Sequence, residues 1–283
     1  MINPNLLINT KNWNHIITLW KNEKLPHAIL FHGPLGSGKE GHALELAALL
    51  NCKAMENEKS CGSCSSCRKT RSFQHENLKL VLPLPRGKIK TSDDPITKAF
   101  VEPVLKEYLD MLKQKETNPY YSTHITGANT ILINSIRDLK HDVALSTVNN
   151  EWRVVIIFQA EKLCVPSPEA AHALLKILEE PPNKTMFILV SSKANAILDT
   201  IHSRCQSIYF PPISTKVIQE NLLKSEVDPV KARVIACISG GDIRLALELN
   251  QNSTDLMEKL YLFLNACFSN NPDIWNRRIE TTS

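Results

Sequence analysis

The chain has 283 residues, 43% hydrophobic and 22% charged, which fits about two globular domains with a sizeable core and excludes collagen-like, low-complexity and wholly disordered chains. Its longest strongly apolar run is Val154 to Phe158, far short of the roughly 20 residues a membrane helix needs. The N-terminus lacks the basic start, apolar stretch and small-residue cleavage site of a signal peptide, so a cytoplasmic protein with no membrane partner is expected. The net charge of +4, from 33 basic and 29 acidic residues, is too mild to mark a nucleic-acid binder by itself.

In chain order, the first 25 residues read as a short helix with Trp13, Ile16, Ile17 and Trp20 on one face. Ala28 to Phe31 is a short buried strand, followed by a glycine-rich turn and a helix from Gly41 to Leu50. A second strand is expected over 78–82. Residues 86 to about 128 are polar, mixed in charge and without a strong apolar period, apart from a helix near 99–114. This stretch reads as an insertion, a tolerated decoration ahead of a partner-binding element. A helix over 133–145 and a buried strand over 153–158 follow, then a helix opened by Ser167 as N-cap, with Pro168 and Glu169 in its first turn. Strands over 187–190 and 207–210 complete an alternating pattern, which implies a parallel α/β sheet with helices on both faces. The predicted boundaries are an α/β domain over 1–211, a small helical lid over 212–252 and a further helix beginning at 253.

The turn Gly33-x4-Gly38-Lys39, with Gly36 between, has the context a phosphate loop requires: strand, glycine-rich turn, helix. Backbone N–H groups there wrap phosphate oxygens, the lysine reaches the outer phosphates, and the helix dipole adds to both. Where the pattern puts a Ser or Thr to hold Mg²⁺, this chain has Glu40. Where an acidic pair is needed at the end of the 153–158 strand, it has Phe158 and Gln159, and Glu161 lies beyond the strand end, too far to substitute. ATP binding is therefore expected to be weak or absent, and autonomous hydrolysis is not expected. Cys52, Cys61, Cys64 and Cys67 offer four thiolates in a compact loop, suited to one structural zinc. Cys164, Cys205, Cys237 and Cys267 are scattered and read as buried small hydrophobes.

The residues His27 to Gly33, the cysteine knot, Ala173-Leu174-Leu175-Lys176-Ile177-Leu178-Glu179-Glu180-Pro181-Pro182, Ser203-Arg204-Cys205 and Gly240 to Leu247 together resemble the bacterial clamp-loader group within the AAA+ ATPases. The resemblance covers about residues 1–250. Glu40, Phe158 and Gln159 point within it to the delta-prime branch rather than the ATP-burning gamma/tau branch. It implies an AAA+ fold and a component of the DNA polymerase III holoenzyme. Gamma/tau and delta subunits would share a pentameric ring with it, which loads a sliding clamp onto primed DNA. By the same resemblance Arg204 is an arginine finger acting in trans, Arg244 matches the sensor-2 position, Ser191 or Ser192 matches sensor 1, and residues 253–283 start a truncated collar domain.

Two other readings compete. A gamma/tau-type motor subunit predicts Mg²⁺-dependent turnover that needs Lys39. A stand-alone zinc-bearing nucleic-acid module predicts steeply salt-dependent DNA affinity, against which the mild charge speaks.

Overall fold

A computed structural model of the protein describes residues 1–144 and 151–251. The chain divides into two compact units, Met1–Pro212 and Ile213–Ser283. The residues expected to start a collar domain, and Cys267, lie outside the described residues.

In the first unit, helix α1 (Thr10–Lys21) buries Trp13, Ile16 and Ile17 and is capped by the Asn9 side chain, which accepts from the Asn12 N–H. Strand β1 (Ala28–His32) leads into helix α2 (Lys39–Leu50), and a seven-residue helix α3 (Ser65–Arg71) closes the cysteine loop. Strand β2 (Leu78–Val81), helix α4 (Glu102–Thr117), helix α5 (Ile133–Ala144), strand β3 (Arg153–Ile157) and helix α6 (Glu169–Glu179) follow. Strand β4 (Thr185–Ser191), the short helix α7 (Asp199–His202) and strand β5 (Gln206–Tyr209) complete the unit. The five strands form one parallel sheet in the order β2-β3-β4-β1-β5.

Alternation along each strand divides the core between the two faces of the sheet. Ile29, Phe31, Val154, Ile156, Met186 and Ile188 pack with the residues of α1 and α2, whereas Ala28, Leu30, Val155, Ile157, Phe187 and Leu189 pack with those of α5 and α6. Helices therefore cover both faces, as the sequence implied for an AAA+ type α/β sheet. Among the described residues, no helix is long and apolar enough to cross a membrane.

Three expectations are corrected here. Ser167 does not cap α6: the residue preceding the helix is Pro168, in a near-helical conformation, and no side chain caps this end. Cys237 is exposed rather than buried, while Cys205 is buried, which pushes its thiol up to about 12. The insertion is not a surface decoration. Val104, Tyr108 and Leu112, half-buried, and the buried Met111 join the core on one face of α4, and Tyr120, Thr123, Ile125 and Ala128 behind it are also buried. The spacing of Val104, Tyr108, Met111 and Leu112 is a helical period that the surrounding charges hide.

The second unit contains, among its described residues, helices α8 (Thr215–Lys224), α9 (Pro229–Ile238) and α10 (Ile243–Gln251). Ser214 and Asp228 cap the first two, each with a side-chain oxygen accepting backbone N–H bonds.

Candidate functional site

Parallel strands end at the same side of the sheet, and the turn after β1 opens there. Gly33, Gly36 and Gly38 all have positive φ. Gly33 has no alternative, because a Cβ on it would lie 2.1 Å from the Phe210 carbonyl oxygen. The turn thus takes backbone conformations that favour glycine. Its lysine, however, is buried and turned onto the loop itself: Lys39 Nζ donates to the carbonyls of Gly33 (2.8 Å) and Pro34 (2.6 Å) and to Ser37 Oγ (3.2 Å).

Behind the loop, His42 is fully buried, and its ring bridges two backbone groups. Nε2 accepts from the Asn9 N–H at 2.9 Å, so Nδ1 carries the proton and donates to the Gly38 carbonyl at 2.8 Å. Burial pushes its pKa down to about 4, against the opposing pull of the Gly38 carbonyl.

Glu40 occupies the position where a metal-holding hydroxyl belongs. One of its oxygens pairs with Lys115 of α4, whose side chain is wholly buried, and the other accepts from Thr123 Oγ1 at 3.2 Å. Lys115 Nζ also donates to the Tyr121 carbonyl at 2.7 Å and sits 5.6 Å from the centre of the Phe158 ring. Gln159, in the left-handed conformation just past β3, donates its side-chain amide to the Thr123 carbonyl at 3.1 Å. Glu161 follows two residues later. It is buried on the turn after β3, and both its oxygens are held, by Ser191 Oγ at 2.7 Å and Ser192 Oγ at 3.0 Å. The two serines at the end of β4 and Glu161 satisfy each other.

At the far end of α2, the sulfur atoms of Cys52, Cys61, Cys64 and Cys67 lie within 4.8 Å of one another. An ideal tetrahedron with Zn–S of about 2.3 Å has S–S edges of about 3.8 Å, and Cys61 and Cys67 are 3.8 Å apart. Backbone N–H groups of Cys61, Cys64 and Cys67 point at the sulfurs of Cys52, Cys61 and Cys64, respectively, and such bonds favour thiolates. The bond from the Cys64 N–H, with help from Ser63, brings the half-buried Cys61 thiol down to about 6, whereas burial raises Cys67. The set fits one metal ion held by four sulfurs. The knot is anchored to α2 by Glu45, which sequence reasoning missed: its carboxylate is buried and accepts from the Ser60 N–H and hydroxyl and from the Ile2 N–H. Burial raises the Glu45 pKa, with these N–H bonds opposing.

Arg204, just past α7, is partly exposed. It donates to Glu179 Oε1 at 2.6 Å and to the Thr200 carbonyl at 3.0 Å. Arg244 lies in the second unit, clasped by Asp242 through Nη2 to Oδ2 at 2.8 Å and Nε to Oδ1 at 3.3 Å.

The chain spans 56% of the length of the Bacillus subtilis DNA polymerase III subunit delta', to which it is 29% identical over 232 residues, 82% of this chain. It is 27% identical to subunit tau of the same organism over 80% of this chain and 33% of that protein. A solved Thermotoga maritima RuvB mutant overlays with a TM-score of 0.49 at 14% identity, over 99% of this chain and 73% of that one. The family model described as DNA polymerase III, delta subunit matches residues 8–214. On that span, which holds the phosphate-loop turn, the cysteine knot and Arg204, the chain belongs to this clamp-loader family, alongside the delta', tau and gamma/tau subunits.

Proposed function

We propose that the protein is a delta-prime-type subunit of the clamp loader that does not hydrolyse ATP itself and presents Arg204 to the ATP site of a neighbouring subunit. The observation that carries this reading is the end of β3. Phosphoryl transfer in a P-loop protein needs an acidic group there to hold Mg²⁺ and a polar group to position water. Here Phe158 is apolar, Gln159 donates its amide to Thr123, and Glu161 is held by two serines. Lys39 and the three glycines line a turn that has no free acid beside it at the end of β3. The neighbours in this reading are gamma/tau and delta subunits in a five-membered cytoplasmic ring, acting on a sliding clamp and primed DNA. The cysteine knot holds a structural zinc.

Arg204 suits the assigned role because its partners are weak. A cation exposed beside a surface carboxylate gains little from it and is free to exchange Glu179 for a phosphate oxygen. In other nucleotide hydrolases such an arginine is worth about 10³–10⁵ in rate. Replacing Arg204 by Ala in the reconstituted ring is expected to leave assembly intact and depress DNA-stimulated ATPase. An unchanged rate removes the finger role.

The likeness to tau and the glycine-rich turn favour one second reading, a motor subunit. Mg²⁺-dependent ATPase of the isolated chain, abolished by Lys39→Ala, would establish it.

A further inference from the structure

A P-loop site holds its divalent cation between the hydroxyl that follows the lysine and the acid at the end of the adjacent strand. In this chain both positions are changed, and the changes fit each other. Glu40 brings a carboxylate to the first, Phe158 an aromatic ring to the second, and between them sits the ammonium of Lys115. We propose that Lys115 takes the place of the divalent cation in this P-loop, so that residues 115–123 of the insertion are an intrachain occupant of the metal subsite. This deepens the reading of the site as non-hydrolysing by naming what fills it.

The chemistry is matched group by group. An ammonium has three N–H donors and no acceptor. Lys115 Nζ uses them on the Glu40 carboxylate, the Tyr121 carbonyl at 2.7 Å and, more weakly, the Pro119 carbonyl at 3.5 Å. The Phe158 ring adds the attraction of its quadrupole for a desolvated cation. Burying an ammonium without such partners is prohibitively costly, yet this side chain is wholly buried. Thr123 completes the arrangement: its hydroxyl donates to the second Glu40 oxygen, and its carbonyl accepts from Gln159.

All three departures from a metal-binding P-loop, Glu40, Phe158 and Gln159, are therefore tied to one segment of nine residues. A site that had merely lost its function would leave orphaned polar atoms at its centre. Among the described residues, the buried side-chain atoms without a hydrogen-bond partner are His27 Nε2, Arg71 Nε and Ser135 Oγ, none of them on the phosphate loop or at the end of β3. Glu40 and Lys115 also cancel in charge. The +2 of a metal ion, which would offset nucleotide phosphates, is replaced by a neutral pair.

The test uses the full chain and ATP with MnCl₂, following bound Mn²⁺ by electron paramagnetic resonance and ATP affinity by calorimetry with and without the metal. The wild type is expected to hold no Mn²⁺ with ATP. The variant Glu40→Thr/Lys115→Met restores the hydroxyl and lays an apolar side chain against Phe158. It is expected to gain at least about tenfold in Mn²⁺-dependent ATP affinity. Tight Mn²⁺-dependent binding by the wild type overturns the proposal, as does a variant that melts cooperatively yet gains nothing. If that variant does not melt cooperatively, Glu40→Ser/Lys115→Leu is measured with the same two outcomes. The ring assay on Arg204 is independent: it can fail while Lys115 still excludes the metal, and it can succeed while Lys115 does not.

Discussion

Helix α2 carries a candidate ligand site at each end, and the two ends are built on opposite principles. At its C-terminal end, four sulfurs converge within 4.8 Å of one another, with backbone N–H groups pointing at three of them. At its N-terminal end, each of the polar side chains Lys39, Glu40 and His42 is met by a group from the same chain. Four sulfurs gathered at tetrahedral spacing fit a metal; a carboxylate that already holds an ammonium from the same chain has no need of one. The difference separates a site that recruits a ligand from one that has internalised it.

The largest expected effect breaks the first end. Structural zinc in small domains is worth about 10–16 kcal/mol of apparent binding free energy near neutral pH. Elemental analysis should find one zinc per chain, and Cys64→Ser should lose it together with hydrogen-exchange protection of residues 52–71. A metal-free wild type with an unchanged melt would sink the assignment.

At the other end, the Glu40–Lys115 pair behaves as a buried ion pair. Removing one partner strands the other, at roughly 3 kcal/mol or more, whereas removing both costs much less. Denaturant melts of Glu40→Gln, Lys115→Met and the double variant should therefore be strongly non-additive. Additive losses would mean that the two groups do not depend on each other.

The same contrast explains what was legible beforehand. The knot is written in local spacing, with four cysteines within 16 residues, and the sheet in the strand, glycine turn and helix alternation. Even the missing acids at β3 could be read as absences. The partner of Glu40 could not, because Lys115 lies 75 residues away and only the fold brings them together. One signal was available: Val104, Tyr108, Met111 and Lys115 share a face of α4, so the lysine extends an apolar stripe into the core. A charged residue on such a stripe implies a buried partner. Glu45, between Leu44 and Leu46 in the buried stretch Ala43 to Leu50 of α2, carried the same kind of signal.

His42 adds a pH dependence to the closed end. Its folded pKa, about 4, lies below the unfolded value of about 6.5, so between these values the unfolded chain binds the extra proton. Stability is full above pH 6.5 and falls as the pH drops toward 4, by roughly 3 kcal/mol across the window. Melting temperatures of wild type and His42→Gln should converge as the pH is lowered through it. Parallel curves would show that the ring does not titrate in this way.

The smallest expected effect comes from the third ion pair in the argument, and its smallness is informative. Arg204 and Glu179 are in direct contact at 2.6 Å, but their side chains are 35% and 48% exposed, against 0% and 28% for Lys115 and Glu40. Water and salt screen the attraction, and exposed pairs are typically worth less than about 1 kcal/mol. Glu179→Ala should shift the melting temperature by no more than about 2 °C, well below the loss from either single change at Glu40 or Lys115. A shift as large as theirs would mean that Arg204 is a structural clamp, bound too firmly to turn toward another molecule's phosphates. A negligible shift leaves it as a cation parked on a weak partner, which is the condition its proposed action on a neighbour requires.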